Sequence, residues 1–267
     1  MTGSRTRGFT LVEAVAVIAI MGVVAGMVAI FIRQPVESYV NAVRRAALTD
    51  IADTALRRIG RDVRASLPNS IRVAVSGGVS YLEFLQTSGG GRYRAQLDSL
   101  GNGDTLDFAV ADTTFDVIGP VPSSAPGELI VVYNLGPGST ESDAYTGNNS
   151  SAFASVAGPT VTIAAKQFPF ASPGRRFHVV QYPVTYACNP VSGELRRYWG
   201  YAVAAAQPTP PAGGNNALLA TNLSDCNFTY QANPATQRNG IVSLNLKVTQ
   251  AGETVSLFQQ VHVVNVP

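Results

Sequence analysis

Charge is scarce in this chain. Only 13% of its 267 residues are Asp, Glu, Lys or Arg, and 19 bases against 17 acids leave a net charge of +2. A nucleic-acid binder needs a basic footprint, so this balance argues against one. Histidine occurs twice, at His178 and His262, and cysteine twice, at Cys188 and Cys226. No Cys-x-x-Cys or His-x-x-x-His spacing offers a zinc site. No Gly-x-Ser-x-Gly elbow raises a hydrolase nucleophile. The glycine run Gly89-Gly90-Gly91-Arg92 lacks the Lys-Ser/Thr of a phosphate loop and reads as a tight loop after a strand at Tyr81–Leu85. Asp98, Asp104 and Asp107 could meet a calcium ion, but their spacing is not that of an EF-hand. Both histidines fall in expected strands, where a structural role is the simpler reading. The expectation is therefore a protein without catalytic residues, cofactor or resident metal, and not an enzyme.

What the chain does have is one long apolar run. Phe9 to Ile32 carries a single charged residue, Glu13. About 20 apolar residues suffice to span a bilayer as a helix. A carboxylate inside such a helix costs roughly 2.5–3.5 kcal/mol on insertion scales, so it calls for a positive partner at the same depth. A secretory signal has a shorter apolar region and a small-residue cleavage site behind it. Here a glycine, Gly8, stands before the run. Thr10-x-x-Glu13 also fits a helix capping box, which leaves the basic leader with Arg5 and Arg7 unexplained. Charge does not orient the span, because Arg33, Arg44 and Arg45 follow it. Gly22 and Gly26 form a small-xxx-small pair that lets helices approach closely in lipid.

Beyond the span, Pro35 either kinks one helix or starts another at its first turn. Val36, Val40, Val43, Ala47, Ile51, Ala55, Ile59, Val63 and Leu67 recur at helical spacing. The other face carries Arg44, Asp50, Asp53, Arg57, Arg58, Arg61, Asp62 and Arg64, either solvated or meeting neighbouring molecules. A helix over Phe9–Leu67 would be about 90 Å long at ~1.5 Å per residue. After residue 69 the pattern turns to period two. Strands are expected at Ile71–Val75, Tyr81–Leu85, Leu106–Val110, Leu129–Tyr133, Val161–Ala164, Phe177–Gln181, Val184–Cys188, Leu195–Val203, Asn227–Tyr230, Ile241–Thr249 and Val255–Val264. Hairpin turns are expected at Cys188–Glu194 and Gln250–Glu253, and irregular loops at Gly136–Gly158 and Gln207–Asn216. Cys188 and Cys226 are either one disulfide or two buried thiols. The fold class is α+β: a long N-terminal transmembrane and amphipathic helix packed on an antiparallel β-rich head.

The run Arg7-Gly8-Phe9-Thr10-Leu11-Val12-Glu13 resembles the processing site of type IV prepilins and pseudopilins. The resemblance implies a cut by prepilin peptidase between Gly8 and Phe9, N-methylation of Phe9, and a docking role for Glu13 on the terminal amine of a neighbouring subunit. It implies a leader at 1–8, a membrane and assembly helix at 9–35, and a head at 36–267, with an amphipathic helix at 36–67 and a β-rich part at 70–267. It places the chain in the bacterial inner membrane with the head in the periplasm, then on a surface pilus. Its partners would be major and minor pilins, the peptidase and the inner-membrane assembly platform. A late disulfide is common in that family, which favours the Cys188–Cys226 bridge. Pro35 falls slightly later than the family's usual stem proline.

The size of the head suggests a minor rather than a major subunit. Asp53–Arg72, Leu82-Glu-Phe-Leu, Gly90-Gly-Arg-Tyr-Arg94 and Arg197-Tyr-Trp-Gly-Tyr201 resemble minor pilins of the mannose-sensitive haemagglutinin (MSHA) pilus system. Two other readings stand beside it. One is a type II secretion pseudopilin. The other is a membrane-tethered adhesion or glycan-binding module, with Trp199 stacking on a sugar.

Overall fold

The computed structural model describes residues 8–232 and 239–267, so the expected leader lies outside the described residues except for Gly8. Two compact units divide at Ala47 and Leu48. A single helix, α1 (Leu11–Arg64), supplies nearly all of the first and enters the second. It opens at Thr10, whose hydroxyl accepts the Glu13 amide N–H at 3.3 Å and satisfies one otherwise orphaned donor. Pro35 sits inside it, and the helix continues through as one element rather than two. Its last turn tightens, with Ala65 N–H donating to Asp62 O and Ser66 N–H to Val63 O. It thus stops at Arg64, short of the expected Leu67.

The second unit is built on strands. These are β1 (Arg72–Ser76), β2 (Val79–Tyr93), β3 (Asp112–Ile118), β4 (Leu129–Val132), β5 (Ser150–Ala157) and β6 (Thr160–Lys166). Then follow β7 (Arg176–Asn189), β8 (Glu194–Trp199), β9 (Asn215–Ala220), β10 (Leu223–Ala232), β11 (Asn239–Gln250) and β12 (Glu253–Val264). A nine-stranded sheet runs β1-β2-β3-β6-β5-β4-β7-β8-β9, and a three-stranded sheet runs β10-β11-β12. All the pairings are antiparallel. An added β2–β7 pairing closes β2, β3, β6, β5, β4 and β7 into a ring. Phe115, Phe153, Phe168 and Phe177 fill one core with Ile130, Val161 and Val179. A ring removes the exposed edges an open sheet would carry.

The main core forms where α1 meets both sheets. Ala55, Leu56, Ile59 and Val63 pack with Phe84, Val184 and Tyr186 of the large sheet, and with Val242, Leu244 and Leu246 of the small one. Each fully buried aliphatic or aromatic side chain contributes roughly 1.5–3 kcal/mol. Leu48 and Ala52 extend the contact to Val248. The helical stripe is therefore core from Ile51 onward, whereas Val36, Val40 and Val43 are exposed.

Four expectations need correction. Leu106–Val110 is not a strand. Asp107 Oδ1 accepts the Ala109 N–H there, and Asp112 Oδ2 accepts the Asp107 N–H. Such side-chain caps compete with a ladder, and the strand forms later as β3. Gly136–Gly158 is irregular only in its first half, since Ser150 begins β5. The stretches expected at Phe177–Gln181 and Val184–Cys188 are one strand. Pro183 sits opposite Leu85 next to a register shift at Gln86 and Thr87, a position where a missing N–H is tolerated. Gly89–Gly91 is not a loop but part of β2. A Cβ on Gly90 would lie 2.7 Å from the Phe177 carbonyl oxygen, and one on Gly91 2.9 Å from the Phe177 ring, so the close β2–β7 approach there requires glycine.

Candidate functional site

The N-terminal segment is defined by what does not cover it. Every residue from Gly8 to Val40 is exposed. Phe9 is 77% exposed and Leu11 82%, a state that water disfavours and a bilayer or neighbouring apolar helices would relieve. The helix is long and apolar enough to cross a membrane by length and composition. A Cβ on Gly22 or Gly26 would meet nothing within 4 Å, so the small-residue stripe is open to another helix. Glu13 lies one turn into α1, on a fully uncovered surface. Its amide N–H is held by Thr10, but its carboxylate bonds no side chain among the described residues. Gly8, Phe9 and Thr10 precede the helix outside any regular element. The arrangement puts the Gly8–Phe9 bond just ahead of an apolar helix with one acid near its start.

At the far end of α1 two polar clusters lie inside the second unit. Asp62, expected on the solvated face, is buried. Its Oδ2 accepts the Arg197 Nε–H at 2.8 Å and the Tyr186 hydroxyl at 2.8 Å, and Arg58 Nε stands 3.3 Å from Oδ1. Burial and the Asp62 charge both push the Tyr186 phenol up. In the second cluster Arg72 Nε–H donates to Glu83 Oε2 at 2.7 Å, and the Tyr201 hydroxyl donates to Glu83 Oε1 at 2.9 Å. The Arg72 guanidinium also sits 3.6 Å from the centre of the Tyr145 ring and donates to the Ala204 and Ala205 carbonyls. Burial raises the Glu83 carboxyl, with Arg72 opposing. These clusters bond α1 and the 204–205 segment to the sheet. No sequence pattern named them, although Arg197 shares a strand face with the core residue Leu195, and an inward charge demands a partner.

The remaining singled-out residues have structural surroundings. Cys188 of β7 and Cys226 of β10 form a disulfide with Cα atoms 6.4 Å apart. Trp199 packs at the edge of the main core with the Arg197 guanidinium 4.9 Å from its ring. It is half-buried, and Tyr201 belongs to the Glu83 cluster. Asp98 accepts the Leu100 and Asn102 amides within its own loop, and Asp104 donates its N–H to Asp116. Among the described residues no three His, Cys, Asp or Glu side chains converge as metal ligands.

His178 of β7 is half-buried, and its buried Nε2 has no hydrogen-bond partner among the described residues. Burial, helped by Arg176, pushes its pKa down to about 4. The unfolded chain protonates it near 6.5. Between those values the unfolded state binds the extra proton, so stability is full above about pH 6.5 and falls as the pH drops toward about 4. His178→Gln is expected to reduce the stability lost between pH 7 and pH 4.5 by about 2 kcal/mol. Denaturant titrations at the two pH values check this, and an unchanged difference would refute it.

Residues 3–29 match the family model for the prokaryotic N-terminal methylation motif. The match covers most of the Phe9–Ile32 apolar run and none of the β-rich unit. It supports a type IV pilin-like or pseudopilin-like protein, processed by a prepilin peptidase and assembling with other pilins. Such proteins are filament subunits. The motif and the long apolar helix also fit anchorage in the inner membrane before assembly. No curated protein and no solved structure matches the chain.

Proposed function

We propose that this chain is a minor type IV pilin of an MSHA-type pilus, a non-enzymatic subunit that helps start the filament or sits at its tip. The observation that carries the filament reading is Glu13: one carboxylate with no described side-chain partner, on a bare apolar helix and inside the residues that match the methylation motif. Cleavage between Gly8 and Phe9 frees an amine, and methylation marks it. The next subunit's Phe9 amine then meets Glu13 in the hydrocarbon layer. Opposite charges about 4 Å apart attract by ~4 kcal/mol at an effective dielectric near 20. Each charge offsets the other's desolvation only in the pair, so the contact specifies register as well as affinity. The head, from residue 36, would stand in the periplasm.

The minor-pilin reading rests on the large head. Within that class, the runs Leu82–Leu85, Gly90–Arg94 and Arg197–Tyr201 support the resemblance to minor pilin O of the MSHA system. The partners are then the major and minor pilins of that pilus, the prepilin peptidase and the inner-membrane assembly platform. Intact-mass spectrometry of protein extracted from its own membranes tests the core of this reading. A chain that begins at N-methylated Phe9 is the expected result. A functioning chain that retains Met1–Gly8 would overturn it.

A further inference from the structure

The three-stranded sheet ends in an edge of unusual character. β12 pairs with β11 through twelve consecutive residues without a register shift, from Gln250 opposite Glu253 to Asn239 opposite Val264. Its other side has no strand in the sheet order, and no turn, loop or cap bond reaches the backbone of residues 254–264 among the described residues. Exposed edges are ordinarily blunted by shortness, a bulge, a proline or a charge. The remaining edges here conform. β1 and β9 have 5 and 6 residues, and β10 carries Asp225 at a register shift. β12 carries one charge, Glu253, at its first position; the eleven residues from Thr254 to Val264 contain no Pro, Lys, Arg, Asp or Glu.

Its side chains are also incompletely covered. The inward residues of β11, which has strands on both sides, are sealed: Val242, Leu244, Leu246 and Val248 are each 0% exposed. The corresponding Val255, Leu257 and Gln259 of β12 stay half-buried, although α1 lies under them. On the outer face Phe258 is 64% exposed. A further strand with apolar residues at alternate positions would bury Val255 and Leu257 and flank Phe258.

We infer that β12 is an assembly edge that accepts, by main-chain pairing, an uncharged strand with period-two apolar residues from the head of a different subunit in the same filament. The inference rests on the filament reading above. The same strand of a second copy fits poorly. Ala52 packs near Val255 and Leu257, and Gly60 lies against Gln259 and Val261, so α1 runs in the same direction as β12. Antiparallel β12–β12 pairing would point the two α1 segments in opposite directions, which a filament of codirectional stems forbids. Parallel self-pairing has no two-fold equivalence, because each residue bonds to the two neighbours of its opposite rather than to that residue itself. A non-identical strand meets neither obstacle.

The test compares the full chain in detergent with the full chain in isolated filaments by amide hydrogen exchange. Alternate β12 amides are expected to exchange at least about tenfold more slowly in filaments, as newly paired edge groups do. The double variant Ser256→Lys/Gln260→Lys, which supplies the missing charges on the outer face, is expected to fold and be processed yet enter filaments at least about tenfold less often. Asn245→Lys, on the same face of the interior strand β11, is expected to enter normally. Wild-type chain present in filaments with unprotected β12 amides, or normal entry of the double variant, overturns the edge assignment and leaves the filament reading standing. Wild-type chain absent from filaments overturns both.

Discussion

Glu13→Ala is expected to leave the chain cleaved and membrane-bound but to lower its copies in filaments by at least about 30-fold. The direction follows from where the acid lies. Removing a lone carboxylate from an apolar helix makes the helix more comfortable in lipid, by roughly 2.5–3.5 kcal/mol on insertion scales. Anchoring therefore does not suffer. What suffers is the joint between subunits, because the incoming amine would enter the hydrocarbon layer unpaired. Loss of even half of the ~4 kcal/mol Coulomb attraction corresponds to about 30-fold, and the unpaired amine adds its own desolvation. Glu13→Gln should behave nearly as badly, since an amide retains size and polarity without the charge. Thr10 caps the helix through the backbone N–H of residue 13, which alanine and glutamine both retain, so helix loss does not confound the result. Immunoblots of sheared filaments against membrane fractions give the readout. Wild-type filament levels for Glu13→Ala would refute the docking role of the acid.

The largest effect on stability is expected at Asp62. Asp62→Ala leaves Arg197 buried without its carboxylate and Tyr186 without its acceptor. Breaking a buried pair from one side typically costs about 3–5 kcal/mol. At about 2–4 °C per kcal/mol for a domain of this size, the Tm should fall by roughly 6–20 °C. The exposed pair Asp53–Arg57, on the same helix and 2.7 Å long, provides the contrast. Asp53→Ala should cost under about 1 kcal/mol. Thermal unfolding of the full chain in detergent, followed by the β-sheet signal, compares the two. Equal shifts would show that the buried cluster contributes no more than a surface pair. Replacing Asp62 and Arg197 together by Leu and Met should recover much of the loss, because neither charge is then stranded.

The sequence shows its long-range plan where periodicity is strong and unopposed. The span, the stripe from Ile51 to Val63, and the hairpins at Cys188–Glu194 and Gln250–Glu253 are all readable from spacing alone. β5 and β9 escape notice because Ser150–Ala157 and Asn215–Ala220 are rich in small or polar residues, and pairing with neighbours supplies what local preference does not. Leu106–Val110 misleads for the opposite reason, since its apolar residues alternate while Asp107 and Asp112 tie up the backbone. The glycine run resembles a loop until Phe177 occupies the space any side chain would need. At the N-terminus the apolar run is plain in the sequence, and it forms the exposed start of α1. Asp62 is harder. Among alternating charges on a helix it looks like its neighbours, and only Arg197, distant in sequence, distinguishes it.

The Cys188–Cys226 bridge has a mechanical meaning. It joins β7 of the large sheet to β10 of the small one, and α1 packs against both. A pull on the apolar segment would enter the β-rich unit through that helix. Two layers held only by side-chain contact could peel apart under such tension. A covalent rivet between them converts peeling into shear across the whole core, so the head should come away from its surroundings before it comes apart.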